Sequence, residues 1–318
     1  MDPPRIPGLH HVTATVSEAA PDVAFYTGTL GLRLVKKTVN FDNLGVYHLY
    51  YGDERGSPST LMTTFPYAGQ GVRVGTKGAG QITVTSFSVP PGSLDFWGDR
   101  FSAQGIEVSK SDARFGAAAL MVEDPSSLNI ELIEGEGDAR DPWVTDDIPA
   151  DAAIRGVHGV TLVVRDGERS VRFLTDVLGL ERVEASGART RVAGARGGPG
   201  SWLEVLESEH APEAVNGLGT VHHVAMAVSD AEEQLAMREI LVEQGVQVTP
   251  VRDRQYFQSI YFREPGGVLY EIATEGPGFT LDEDLDELGT HLKLPSWEEQ
   301  NRDAIAAALP PIRSGDSA

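Results

Sequence analysis

Residues 25–35 read FYTGTLGLRLV, and residues 173–183 read FLTDVLGLERV. Each string begins with apolar residues at helical spacing, stops at Leu-Gly-Leu and resumes as a strand. Gly31 and Gly179 fall where the helix should end and the backbone turn left-handed, a conformation that glycine adopts without a Cβ penalty. Two copies of one helix-to-strand junction predict an internal repeat.

Working outward from these strings gives four segments with one plan, an alternating strand, a helical stretch and then strands. The first, about 9–64, opens LHHVTATV and includes VYHLYYGD and STLMTTF. The second, about 80–133, opens GQITVTSFSV, has a helix around 93–104 and closes DPSSLNIELI. The third, about 156–206, opens GVHGVTLVV and closes SWLEVLE; the fourth, about 220–273, opens TVHHVAMAV, has a helix over 230–244 and closes REPGGVLYEIA. Asp124-Pro125 and Glu264-Pro265 precede strand carboxylates, Glu131 and Glu271, by the same distance, which puts the second and fourth segments in register.

The fold class expected is therefore α+β, built of four βαβββ modules. Residues 1–138 form an N-terminal half of two modules, 139–155 a linker, 156–275 a C-terminal half of two modules, and 276–318 a C-terminal extension. The connecting stretch 134–154 is acidic with two prolines and reads as an ordered or semi-ordered linker. The extension carries an acidic run at 282–287, and Ser296 followed by Glu299 predicts a capped helix over 296–309 before a polar, frayed end.

Composition narrows the chemistry. The hydrophobic fraction, 41% of 318 residues, is that of a globular chain with a sizeable core, and no apolar run approaches the ~20 residues of a membrane helix. The absence of cysteine excludes disulfides, thiolate nucleophiles and Cys-ligated metals, leaving any metal to His, carboxylate or other oxygen ligands. A net charge of −21 repels nucleic acid and anionic membranes, so neither is an expected partner. The start, MDPPR, has no basic region followed by an apolar stretch, and a cytoplasmic location is expected.

The fourfold βαβββ plan resembles the vicinal oxygen chelate superfamily, which includes glyoxalase I, extradiol dioxygenases and bleomycin-resistance proteins. The stretches GLHHVTATV, DDIPADAAIRGVHGVTL, VHHVAMAV and DRQYFQSIYFREPGGVLYEIA are similar to the hydroquinone-type ring-cleaving dioxygenases of that superfamily. The resemblance covers about 9–273. It implies paired modules forming cup-shaped mixed β-sheets around one iron(II), with manganese(II) acceptable to the same ligands. It also implies a small aromatic diol and dioxygen as substrates; a homo-oligomer is expected.

Strand alternation selects the metal ligands. Successive side chains point to opposite faces of a sheet. In the first strand Val12, Ala14 and Val16 form the apolar set that should pack under helices, leaving His11, Thr13 and Thr15 on the cup face. In the fourth module Val224, Met226 and Val228 leave His223 on the cup face, and in VLYEIA the apolar Val268, Tyr270 and Ile272 leave Glu271 there. Two imidazoles and one carboxylate make a facial triad with positions open for substrate and dioxygen. The third module has Gly159 at the ligand position after His158, and the second has no His-His pair opposite Glu131, so one site is expected, shared by the first and fourth modules.

Thr13, on the cup face two residues from His11, is a candidate substrate-binding residue; the resemblance further implies His10 as substrate-binding and His222, Arg254 and Tyr261 as catalytic. Strict alternation puts His10 and His222 on the helix side, from which they reach a pocket only at a strand end or a bulge. His48, His210 and His291 carry no assignment. Two alternatives remain open on the same scaffold, a glyoxalase-like metal-dependent isomerase or lyase, and a non-catalytic ligand-sequestering protein.

Overall fold

The protein is described here by a computed structural model covering residues 5–312; the start at 1–4 and the polar end at 313–318, expected to fray, lie outside the described residues. The first module comprises β1 (Leu9–Val16), α1 (Ala19–Val23), β2 (Arg33–Asn40), β3 (Asn43–Gly52) and β4 (Leu61–Pro66). The second comprises β5 (Gln81–Val89), α2 (Leu94–Ala103), β6 (Ser109–Arg114), β7 (Ala117–Glu123) and β8 (Asn129–Glu134). The third comprises β9 (Gly156–Val164), α3 (Gly167–Arg172), β10 (Glu181–Ser186), β11 (Arg189–Ala193) and β12 (Trp202–Glu207). The fourth comprises β13 (Thr220–Val228), α4 (Ala231–Glu243), β14 (Arg252–Asp253), β15 (Gln258–Arg263) and β16 (Leu269–Thr274), and the extension ends in α5 (Arg302–Ala308).

The repeated junction has a repeated geometry. In the first and third modules the α-helix widens into π-helical turns, Ala24–Thr29 and Phe173–Val177. The amide of Leu30 donates to Phe25 O and that of Leu178 to Phe173 O, five residues back, as a π-turn requires. Gly31 and Gly179 then turn left-handed at φ of 69° and 71°. The other two helices run between their predicted ends. Asp230 accepts from the amides of Glu232 and Glu233 at the start of α4, and α2 lies between Ser93 and Gln104.

Each sheet takes one module from each half of the chain. The order β14-β15-β16-β13-β1-β4-β3-β2 joins the fourth module to the first, and β10-β11-β12-β9-β5-β8-β7-β6 joins the third to the second. Within a module the first and last strands pair in parallel, as in β1 with β4 and β13 with β16. The first strands of two modules meet antiparallel, β1 against β13 and β5 against β9. The apolar faces predicted to pack under helices do enter the main core, with Val12, Val16, Val224, Val228, Tyr270 and Ile272 fully buried there. The linker is ordered and pinned. Trp97 Nε1 donates to Ala152 O at 2.9 Å, and Arg140 donates to Ser59 O and Val157 O.

The extension departs from its expected form. The residues predicted as one capped helix instead begin with turns. Glu298 N donates to Pro295 O and Asn301 N to Glu298 O, a 3-10 turn covers Glu299–Asn301, and α5 starts only at Arg302 with no side-chain cap. Ser296 is not the N-cap. Ahead of this, the extension packs inside the first sheet. Phe279 and Leu288 join Tyr50, Tyr256, Phe257 and Ala225 in a second apolar cluster.

Candidate metal centre

β1 and β13 lie side by side, and each carries a bulge at the first histidine of its pair. Leu9 and His11 oppose consecutive residues Met226 and Ala225, so His10 is the extra residue; Thr13 and Ala14 oppose His223 and Val221, so His222 is the extra residue on β13. A bulge re-aims a side chain that alternation would send to the other face. The result is two matching hydrogen bonds, Nδ1 of His10 to Nδ1 of His11 and Nδ1 of His222 to Nδ1 of His223, both 2.8 Å.

Those bonds orient the second histidine of each pair. His10 also bonds the backbone of Thr274. A donor there leaves His10 Nδ1 to accept from His11, and His11 Nε2 then carries a lone pair. His11 Nε2 lies 3.3 Å from His223 Nε2 and 3.4 Å from Glu271 Oε2, which is 2.8 Å from His223 Nε2. Glu271 is oriented by Ser259, whose Oγ donates to Oε1, while Oε2 is buried with no hydrogen-bond partner. Three lone-pair donors aimed at one point repel each other unless a cation lies between them. The ligand atoms of His11, His223 and Glu271 all lie within 4.8 Å of one another, and their types suit a divalent first-row metal. The residues therefore fit the group that the resemblance implies.

The electrostatics keep the Glu271 carboxylate ionised. Burial opposes ionisation of Glu271, but the two imidazoles facing it hold its carboxyl well below the usual range. Burial, and then the adjacent His11 or His223, pushes His10 and His222 down to about 3. Burial also lowers His223, against the pull of Glu271. Neutral imidazole is the form that ligates metals.

A cavity of about 190 Å³ opens onto His11, His223 and Glu271. Arg254 and Tyr261 line it together, with Arg254 Nε donating to the Tyr261 hydroxyl at 3.1 Å. Burial and the Glu271 charge raise the Tyr261 phenol, which keeps it a donor. His222 lines the cavity as well, whereas His10 and Thr13 are not among the lining residues. His10 packs against Phe257, ring centroids 4.9 Å apart, and Thr13 bonds Thr63 Oγ1 at 2.8 Å.

Thr63 leads to a residue that the sequence left unassigned. His48 lines the cavity, its Nε2 3.0 Å from Thr63 Oγ1 and its Nδ1 2.8 Å from the Tyr50 hydroxyl. The available signal was alternation in VYHLYYGD, which puts His48 and Tyr50 on one face; a lone histidine in an aromatic-rich strand did not stand out. Phe41, Asp42 and Phe65 also form part of the wall.

The second sheet repeats the scaffold without the donors. His158 is the extra residue of a bulge between Gly159 and Val157, and Thr83 of one between Ile82 and Val84. The ligand positions are thus Gly159 and Val84. A Cβ on Gly159 would meet Trp202 O at 2.7 Å, so this position has no room for an imidazole. Glu131, the counterpart of Glu271, bonds Ser86 Oγ at 2.5 Å.

Comparison with known proteins places this geometry in a family. The sequence model of the Glyoxalase/Bleomycin resistance protein/Dioxygenase superfamily matches residues 8–132 and 156–272. The Bacillus subtilis protein MhqO, named as a ring-cleaving dioxygenase, is 42% identical over 96% of this chain and 96% of its own. The chlorohydroquinone/hydroquinone 1,2-dioxygenase of Sphingobium indicum is 37% identical over 96% of this chain and 97% of its own. A Bacillus subtilis crystal structure described as a dioxygenase superposes with a TM-score of 0.93 at 40% identity, covering 98% of both chains. Glyoxalase I from Zea mays shares the fold, with a TM-score of 0.64 at 17% identity over 89% of this chain and 97% of its own. The protein belongs to the glyoxalase/bleomycin resistance/dioxygenase superfamily, with relatives named as ring-cleaving dioxygenases matching nearly its whole length.

Proposed function

We propose that the chain is an iron(II)-dependent, extradiol-type ring-cleaving dioxygenase that inserts dioxygen into a single-ring hydroquinone or catechol, with His11, His223 and Glu271 holding the metal. The observation that carries this reading is the convergence of three oriented donors on one side of a one-ring cavity. The relatives named for ring cleavage support it from outside the site. When bound, iron(II) supplies the redox chemistry through which diol and dioxygen react; manganese(II) would accept the same donors.

The chain's own groups do the rest. Arg254 places a permanent positive charge beside the Tyr261 hydroxyl, where an anionic substrate oxygen is stabilised by both. His222, neutral and on the cavity wall, is the group placed to accept a hydrogen bond from a substrate hydroxyl. His10 acts through His11, and Thr13 acts through Thr63 on His48, rather than by touching substrate. Phe41, Phe65 and Phe257 hold the ring plane and exclude water. An apolar cavity of roughly 150 Å³ accommodates benzene, so about 190 Å³ suits one ring with small substituents and not a biphenyl.

Oxygen uptake by the iron-reconstituted protein, across single-ring hydroquinones, single-ring catechols and biphenyl diols, tests the reading. Consumption with a single-ring diol and none with the biphenyls is expected. Tight diol binding without any uptake would point instead to a sequestering protein, and nickel- or zinc-dependent turnover without uptake to an isomerase or lyase.

A further inference from the structure

The superfamily match ends at residue 272, yet the chain beyond it is built into the wall of the metal-bearing cup. The two edges of the first sheet are β2 and β14. The extension reaches both. Lys293 N donates to Lys37 O on β2, and Gly278 N donates to Tyr256 O in the turn after β14. Phe279 packs against Tyr50 and Tyr256, with centroids 5.0 and 5.1 Å apart.

One side chain ties the two edges together. Asp282 Oδ1 accepts from Lys36 Nζ of β2 at 2.7 Å; its Oδ2 accepts from Gln255 Nε2 at 2.8 Å and from the Tyr256 hydroxyl at 3.0 Å. Lys36 is fully buried and also pairs with Glu283, so its ammonium is fixed from two sides. Gln255 holds a left-handed backbone, φ 64°, a conformation that is unfavourable for a non-glycine residue and persists only where its surroundings enforce it. Gln255 lies between Arg254 on one side and Tyr256 and Phe257 on the other. Arg254 and Phe257 both line the cavity, and Phe257 packs on the ligand His11 at 5.3 Å.

We propose that Asp282 is a positioning residue for the metal pocket: it locks the strained turn at Gln255 and so sets where Arg254 and Phe257 stand relative to the ligands. The extension is then part of the active site although none of its residues touches substrate. This rests on the ring-cleavage reading for the identity of the ligand, an aromatic diol.

The test compares full-length, iron-loaded wild type with Asp282→Asn and with the double variant Gln255→Gly/Tyr256→Phe, which removes both turn partners of Asp282 while making the left-handed turn easy. Iron content, thermal stability, anaerobic hydroquinone affinity by calorimetry, and KM and kcat are measured on each. Both variants are expected to keep one iron per chain and to bind hydroquinone about tenfold more weakly or worse, since small misplacements of positioned groups carry penalties of that order. Lower stability with unchanged affinity, KM and kcat per iron would overturn the proposal, leaving Asp282 a structural tie. If Asp282→Asn does not fold, Gln255→Gly/Tyr256→Phe decides alone, and unchanged affinity in it rejects the positioning role. Wild type that binds hydroquinone without consuming oxygen would count against ring cleavage, and the affinity comparison would still decide the role of Asp282.

Discussion

At His10 and His222 the alternation that orients the other residues of β1 and β13 is suspended by one extra residue on each strand. Alternation therefore identified His11, His223 and Glu271 as sharing a face, but could not place their neighbours, because a bulge is a property of pairing between two strands and neither sequence alone reveals it. The consequence is chemical. A histidine ligand keeps its tautomer through the bond at its other nitrogen, and here that bond is to another histidine. Replacing His10 by Phe is expected to weaken iron binding about 10–100-fold with the fold retained, read by metal titration; unchanged affinity would remove His10 from the site. Tyr261→Phe is expected to keep its iron and to lower kcat/KM about a hundredfold, the scale of losing one aligned donor. Wild-type kinetics in that variant would take the Tyr261 hydroxyl out of the mechanism.

Among the elements, the Leu-Gly-Leu junctions were legible as repeats because glycine and apolar spacing are local signals. Their π-turns were not, since a widened turn depends on how the helix seats on its sheet. The two glycines also differ in a way that no string comparison reveals. A Cβ on Gly31 would meet Ile148 Cδ1 at 2.4 Å, whereas one on Gly179 would meet nothing within 4 Å. Both backbones are left-handed, so Gly179→Ala should cost about 1–2 kcal/mol. Gly31→Ala should cost about 2–5 kcal/mol once overpacking is added. Urea melts of the two variants measure the difference, and equal losses would contradict the packing account. The tail element was misread for a related reason. Ser296 and Glu299 satisfy a capping pattern, but the turns starting at Pro295 take the chain through that stretch in another form.

For the whole molecule, the fourfold plan was readable, and the pairing of the first module with the fourth followed from which modules kept their donors. The joint between the first and second modules, by contrast, hides two acids whose burial nothing in the sequence marks. Asp22 accepts from the Tyr51 hydroxyl and Thr64, and Asp124 from Tyr26. Burial, chiefly, pushes Asp22 up to about 7 and Asp124 to about 6, from an ordinary 3.8. A carboxyl raised in the folded state binds its proton more tightly there, so its contribution is complete below the ordinary value and is lost as pH rises through the folded one. Stability should therefore fall between about pH 4 and pH 7, and Asp22→Asn should flatten that fall in melting temperature; an identical pH profile would refute the assignment. The measurement that bears most directly on the central claim is isotopic. Iron-loaded wild type, given a single-ring hydroquinone and ¹⁸O-labelled dioxygen, should yield a ring-opened product carrying both labelled atoms, and Glu271→Ala should yield none. A product with no labelled oxygen, or equal labelled product from Glu271→Ala, would contradict ring cleavage at the His11–His223–Glu271 site.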